Sequence, residues 1–130
     1  ISPREGVLDV LEYALKNNIK IGFVTSTTLN NIESVFKTLN NQIKKNQFDF
    51  IGNNTLIKDE KPAPDIYIKA LNSLELESSE CIAIEDTVES ALSAHKAQIR
   101  CIAFPGLFHI EDDFSFCIKK LDKLNISIFN

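Results

Sequence analysis

The chain has 130 residues, 44% of them hydrophobic and 25% charged, and carries a formal net charge of −4. This is the composition of one ordinary soluble domain, large enough to bury roughly two-thirds of its unfolded surface. The charge excludes a general attraction to nucleic acid or to an anionic membrane, and no apolar run approaches the ~20 residues that a bilayer span requires.

The opening Ile1-Ser2-Pro3-Arg4-Glu5 has no apolar h-region and no Met occurs anywhere. That is expected of a chain that begins partway through a longer polypeptide, and not at a signal peptide. From Gly6 to Lys16, Val7, Leu8, Val10, Leu11 and Leu15 recur at helical spacing, with Pro3 and Glu5 suited to the first turn and Asn17-Asn18 closing the helix. Ile19 to Val24 reads as a short buried strand that stops at the polar Thr25-Ser26-Thr27-Thr28. Asn30 or Asn31 is placed to cap a second helix carrying Ile32, Val35, Phe36 and Leu39. Phe48 to Gly52 reads as the next strand. Lys61-Pro62-Ala63-Pro64-Asp65 then leads into a helix through Ile66, Tyr67, Ala70 and Leu71, with Pro64 at its first position. Cys81 to Ile84 is a further apolar strand, ended by Glu85-Asp86-Thr87, and a helix from Val88 to Ala97 precedes the strand Arg100 to Phe104. The tail reads in two ways: as edge strands at Cys117-Ile118 and Ile126–Ile128, or as a final helix from Ser115 to Leu124.

Strands that are almost continuously apolar, alternating with helices, predict an α/β fold with a parallel sheet covered on both faces. The three cysteines, Cys81, Cys101 and Cys117, lack metal-ligand spacing and are expected to be buried, reduced thiols, which suits a cytoplasmic setting.

In a parallel sheet the strand C-termini share one edge, where ligands bind. The polar punctuation falls at that edge. Thr25-Ser26-Thr27 follows one strand, Glu85-Asp86 follows another, and Lys61-Pro62 precedes a helix N-terminus. Hydroxyls and an ammonium supply donors for phosphate oxygens, and paired carboxylates supply hard ligands for Mg²⁺. Taken singly, each has a plainer reading: a turn, a solvated lysine loop, a helix cap at Asp86 or Thr87. His95 reads as a surface or partly buried helix residue, His109 as a loop residue without an evident partner, and Glu111-Asp112-Asp113 as a solvated acidic run.

PREGVLDVLEYALKNNIKIGFVTST, KPAPDIY and CIAIEDTVESALSAHKAQI together resemble the second to fourth motifs of the haloacid dehalogenase-like hydrolases, especially the branch holding phosphoglycolate phosphatase and β-phosphoglucomutase. VTSTT and DDFSF are also similar to the sugar-bisphosphate phosphatases linked to Rubisco metabolism. The resemblance implies a three-layer, Rossmann-like core and a Mg²⁺-dependent phosphatase acting on a small phosphorylated metabolite such as a sugar phosphate. It implies that Thr25 hydrogen-bonds the phosphoryl group and that Ser26 and Thr27 shape the same loop. It implies further that Lys61 neutralises phosphate charge and orients the nucleophile, and that Glu85 and Asp86 hold Mg²⁺. Positioning and charge neutralisation carry most of such a reaction.

The departures are as informative. The family's first motif, Asp-x-Asp-Gly-Thr or Asp-x-Asp-Gly-Val, does not occur here, and the substrate-reading cap that follows it is missing. Residues 1–130 therefore read as the C-terminal part of the core domain, with Ser2-Pro3-Arg4 as the point of return from the cap. The aspartyl-phosphate nucleophile lies outside them, and the chain alone is expected to be inactive. The resemblance also places the first-motif strand between the strands ending at Thr25 and Glu85. Its loss predicts two unpaired inward edges, or edges forced together, and poor stability. Ser90 and Gln98 stand where glycine is common, Gln98 at a left-handed helix end. Two other readings stay open: a β-phosphoglucomutase-like mutase and a non-catalytic binding domain. The setting implied is the cytoplasm or an organelle stroma.

Overall fold

The computed structural model describes residues 3–25, 33, 36, 37, 39 and 42–130. Helix α1 spans Val7–Lys16 and buries Val10 and Ala14. Gly6 caps it at φ 90°, and a Cβ there would lie 1.8 Å from the Leu124 carbonyl oxygen. Only glycine accepts that backbone without strain, and the C-terminal tail uses the space: Leu124 N donates to Glu5 O at 3.0 Å. Just before this turn, the Arg4 guanidinium donates to the carbonyls of Phe104 and Pro105 and lies 3.4 Å from the centre of the Phe104 ring.

Strand β1, Gly22–Val24, pairs in parallel with β2, Phe50–Gly52. Both are shorter than the sequence predicts. Ahead of β1, the Asp49 carboxylate accepts the Ile21 amide at 2.7 Å, so a side chain stands where a ladder partner would. Lys45–Gln47 forms a 3₁₀ turn before β2. Of the helix expected between them, Glu33, Phe36, Lys37 and Leu39 are helical; Asn30, Asn31, Ile32 and Val35 lie outside the described residues.

Helix α2, Asp65–Leu74, buries Ile66, Tyr67, Ala70 and Leu74, and Pro64 is its N-cap instead of its first residue. Gly52 meets this helix closely: a Cβ on it would be 2.8 Å from Ile66 Cδ1. Strand β3, Ile82–Glu85, pairs in parallel with β4, Arg100–Ala103, and helix α3, Val88–Lys96, connects them. Thr87 caps α3 by accepting the Ser90 amide at 3.2 Å. Gln98 has φ 65°, the left-handed position expected of it.

The tail forms neither the helix nor the Ile126–Ile128 strand. Asp113 accepts the Ser115 amide at 3.0 Å and Phe114 O accepts the Cys117 amide at 2.8 Å, which turns the chain. Ile118 N then donates to Cys101 O at 2.9 Å, drawing strand β5, Lys119–Lys120, alongside β4. Ile126–Phe129 is a 3₁₀ segment.

Alternation along the strands builds the layers. Ala83, Cys101 and Ala103 share one cluster with Ile66, Tyr67, Ala91 and Ala94 of α2 and α3. Ile82, Ile84, Ile102 and Phe104 share another with Val10, Leu124 and Ile128 of α1 and the tail. Phe23 and Ile51 pack with Phe36, Ile43 and Leu11. This is the α/β, three-layer arrangement with parallel sheets that the alternation predicts. The sheet is divided, as β1–β2 and β3–β4–β5, and among the described residues no strand pairs β1 to β3. The inward edges are thus unpaired, the first of the two outcomes expected.

All three cysteines are free, but only Cys101 is buried; Cys81 and Cys117 lie half-buried at the margin of the same cluster, against the expectation of full burial. Burial raises the thiol pKa of each.

Candidate active site

The C-terminal end of β3 brings Glu85 to the interior, where Lys61 meets it from the segment leading into α2. Lys61 Nζ lies 3.1 Å from Glu85 Oε2, with side chains 5% and 9% exposed. The plain reading of Lys61 as a solvated loop residue is therefore overturned. Tyr67, in the first turn of α2, donates its hydroxyl to the same Oε2, and its ring centre is 5.8 Å from Lys61 Nζ. Two donors, one ahead of α2 and one in its first turn, thus hold one carboxylate oxygen at the end of β3.

Burial pushes the Glu85 carboxyl above the ordinary carboxylate range, opposed by the charge of Lys61 and by the hydrogen bonds from Tyr67 and Lys61. Burial, then the neighbouring Glu85 charge, lifts the Tyr67 hydroxyl well above its usual value, so it remains a donor. Removing one partner of a buried ion pair costs far more than the pair contributes net, because the remaining charge stays desolvated. The geometry therefore fixes an ammonium and a carboxylate in one place.

Asp86 follows Glu85 and is exposed. Thr25 follows β1, its amide donating to Gly52 O at 3.1 Å, so it ends the other sheet. Ser26 and Thr27 lie outside the described residues. Of the residues singled out in the sequence, the structure thus brings Lys61 and Glu85 into contact, with Asp86 beside Glu85 in the chain. No group of three or more His, Cys, Asp or Glu suited to a metal occurs among the described residues. Glu85 and Asp86 are nonetheless two hard oxygen donors at the end of one strand. That fits Mg²⁺, which takes one or two protein carboxylates together with water and substrate phosphate.

Sequence reasoning missed Tyr67, which it counted as an apolar helix position. The available signal was the hydroxyl, since a buried tyrosine usually finds a partner for it. It also missed a partner for His109, whose Nδ1 lies 2.8 Å from Asp112 Oδ2 within an exposed turn. His95 is exposed, as expected, with its ring 5.3 Å from that of Phe116. No helix among the described residues is long and apolar enough to cross a membrane.

A family model described as haloacid dehalogenase-like hydrolase matches residues 1–104. The chain is 30% identical over 122 residues to protein CbbY of Cereibacter sphaeroides, covering 94% of this chain and 53% of that protein. It is similar to the crystal structure of CbbY from Rhodobacter sphaeroides in complex with phosphate, with a TM-score of 0.88 at 29% identity over 94% of this chain and 54% of that one. A mutant of that protein in complex with xylulose-(1,5)bisphosphate gives a TM-score of 0.89 at 29% identity, over 95% and 55% of the two chains. The chain spans about half the length of the curated relatives it matches.

Proposed function

Since the chain belongs to the haloacid dehalogenase-like hydrolase family, we propose that the protein carrying it is a Mg²⁺-dependent phosphatase that hydrolyses a small phosphorylated metabolite such as a sugar phosphate. The observation that carries this reading is the buried Lys61–Glu85 pair at 3.1 Å, which holds an ammonium at the end of a parallel strand. CbbY from Rhodobacter sphaeroides is seen with phosphate and, as a mutant, with xylulose-(1,5)bisphosphate, and this supports a phosphorylated sugar as the substrate class.

In this reading Lys61 binds a phosphoryl oxygen and offsets charge that builds in the transition state. Thr25 hydrogen-bonds the same group, aided by Ser26 and Thr27, which follow it in the sequence. Glu85 keeps Lys61 in place, and Glu85 and Asp86 are the residues that would hold Mg²⁺. When bound, Mg²⁺ supplies positive charge that lessens the repulsion between an anionic nucleophile and an anionic phosphate. The attacking carboxylate, which forms the aspartyl-phosphate, comes from outside residues 1–130. The protein works in an aqueous compartment, the cytoplasm or an organelle stroma, without nucleic-acid or membrane partners.

The test is p-nitrophenyl phosphate hydrolysis by the 130-residue chain and by the full-length gene product, each with Mg²⁺ and with EDTA. An inactive chain beside an active, EDTA-sensitive full-length protein is expected, with Asp86→Ala abolishing the Mg²⁺-dependent rate. Turnover by the chain alone, or a near-normal rate in Asp86→Ala, would refute the assignment.

A further inference from the structure

We infer that Tyr67 is a positioning residue of this site: its hydroxyl, bonded to Glu85, fixes the carboxylate that Lys61 and the metal ion share. The inference rests on the phosphatase reading above and adds to it a residue outside the set Thr25, Lys61, Glu85 and Asp86.

Packing alone does not call for a hydroxyl here. Tyr67 is 7% exposed and sits among Ile66, Ala83, Ala91 and Ala94, a seat that a phenylalanine ring would fill equally well. Burying a phenolic hydroxyl costs free energy unless it is hydrogen-bonded. The acceptor it meets is the carboxylate of Glu85. The hydroxyl therefore makes sense as a tether for Glu85, and less well as core filling.

The geometry defines what the tether does. Lys61 and Tyr67 are six residues apart, one in the segment leading into α2 and the other in its first turn, while Glu85 ends β3. Both donors fall on Oε2, so Oε1 stands outside both bonds. With Lys61 alone, the carboxylate has one tether and can swing about it. With Tyr67 as well, its plane is fixed and Oε1 keeps a set direction. Outer partners of this kind orient ligating carboxylates, and their loss typically weakens metal binding or activity by about 10–100-fold.

The test uses the full-length gene product carrying Tyr67→Phe, which keeps the ring, and Tyr67→Leu, which removes it. Mn²⁺ affinity is read from the paramagnetic resonance of the free ion, and kcat and KM are measured with p-nitrophenyl phosphate. Tyr67→Phe is expected to weaken Mn²⁺ binding by about tenfold or more and to lower kcat, with KM little changed. Tyr67→Leu is expected to lose the same metal affinity and, in addition, thermal stability. Wild-type Mn²⁺ affinity and kcat in Tyr67→Phe overturn the inference and leave the phosphatase reading standing. A wild-type protein that neither binds Mn²⁺ nor hydrolyses the ester overturns that reading and the inference with it. Should Tyr67→Phe fail to fold, the wild type supplies a second readout. Saturating Mg²⁺ is expected to perturb the near-ultraviolet tyrosine absorption, reversibly with EDTA; an unchanged spectrum overturns the inference.

Discussion

The two sheets are alike in being parallel and unlike in how deeply they are buried. In β4, which has a strand on each side, Cys101, Ile102 and Ala103 are all buried. In β3, which has one strand neighbour among the described residues, buried residues alternate with half-buried ones. In β1 and β2, only Gly52 is buried. Burial is thus greatest in the strand with a neighbour on each side. Helices cover the faces of a sheet, but only another strand can cover its edge and satisfy its backbone. The β1–β2 half is the less supported of the two, and Thr25 follows its first strand.

The sharpest way to test this contrast is to cut the contact that spans it. Lys61→Ala leaves Glu85 buried without its ammonium. In urea titrations of the chain this should cost about 3–5 kcal/mol, the usual penalty for breaking a buried pair. A loss below about 1 kcal/mol would mean that Glu85 is not held as a charge there.

A second comparison sets one strand against the other. Ile102, 1% exposed at the centre of β4, should lose about 2–5 kcal/mol on truncation to alanine. Ile51, half-buried in β2, should lose about 1 kcal/mol. Equal losses would erase the distinction between the two sheets.

The smallest effect is a pH dependence. Burial raises the Cys101 thiol above its ordinary value of 9.0. As pH climbs past 9.0, the unfolded chain gives up this proton while the folded chain keeps it. Stability therefore falls with rising pH in that range and is undiminished by this group below it. Cys101→Ala should flatten the alkaline decline in the melting temperature. An equally steep decline in the variant would assign it to other groups.

Where pattern and packing agree, the sequence is a good guide. Ile82–Glu85 and Arg100–Ala103 are apolar runs bounded by polar residues, and both are strands within a residue of their expected limits. Gln98 is expected at a left-handed position because it stands where the resembled family commonly has a helix-ending glycine, and it has that conformation. Long-range partners are what a local pattern cannot display. The Asp49 side chain, far along the chain, takes the Ile21 amide and shortens the first strand. Cys101 O captures the Ile118 amide and keeps the tail out of a helix. At the site, the residue types Lys61 and Glu85 were legible because each follows or precedes a recognisable element. Their burial against each other was not, since it depends on α2 docking beside β3. Tyr67 was hidden by its own periodicity: a ring at a helical core position looks apolar whether or not its hydroxyl is engaged.

The division of the sheet gives the Lys61–Glu85 contact a mechanical meaning. Helix α2 packs on β1 and β2 as well as against α3, and its Ile66 and Tyr67 share a cluster with Ala83 and Cys101 of the other sheet, so it bridges the halves and brings Lys61 to Glu85. The separation of Lys61 and Glu85 therefore gauges how firmly that bridge holds. In the proposed reaction, a slip of about 1 Å is enough to cost on the order of a hundredfold in rate, long before either sheet melts. Loss of turnover on warming should then precede loss of secondary structure, and the interval between the two would measure how firmly the halves are coupled.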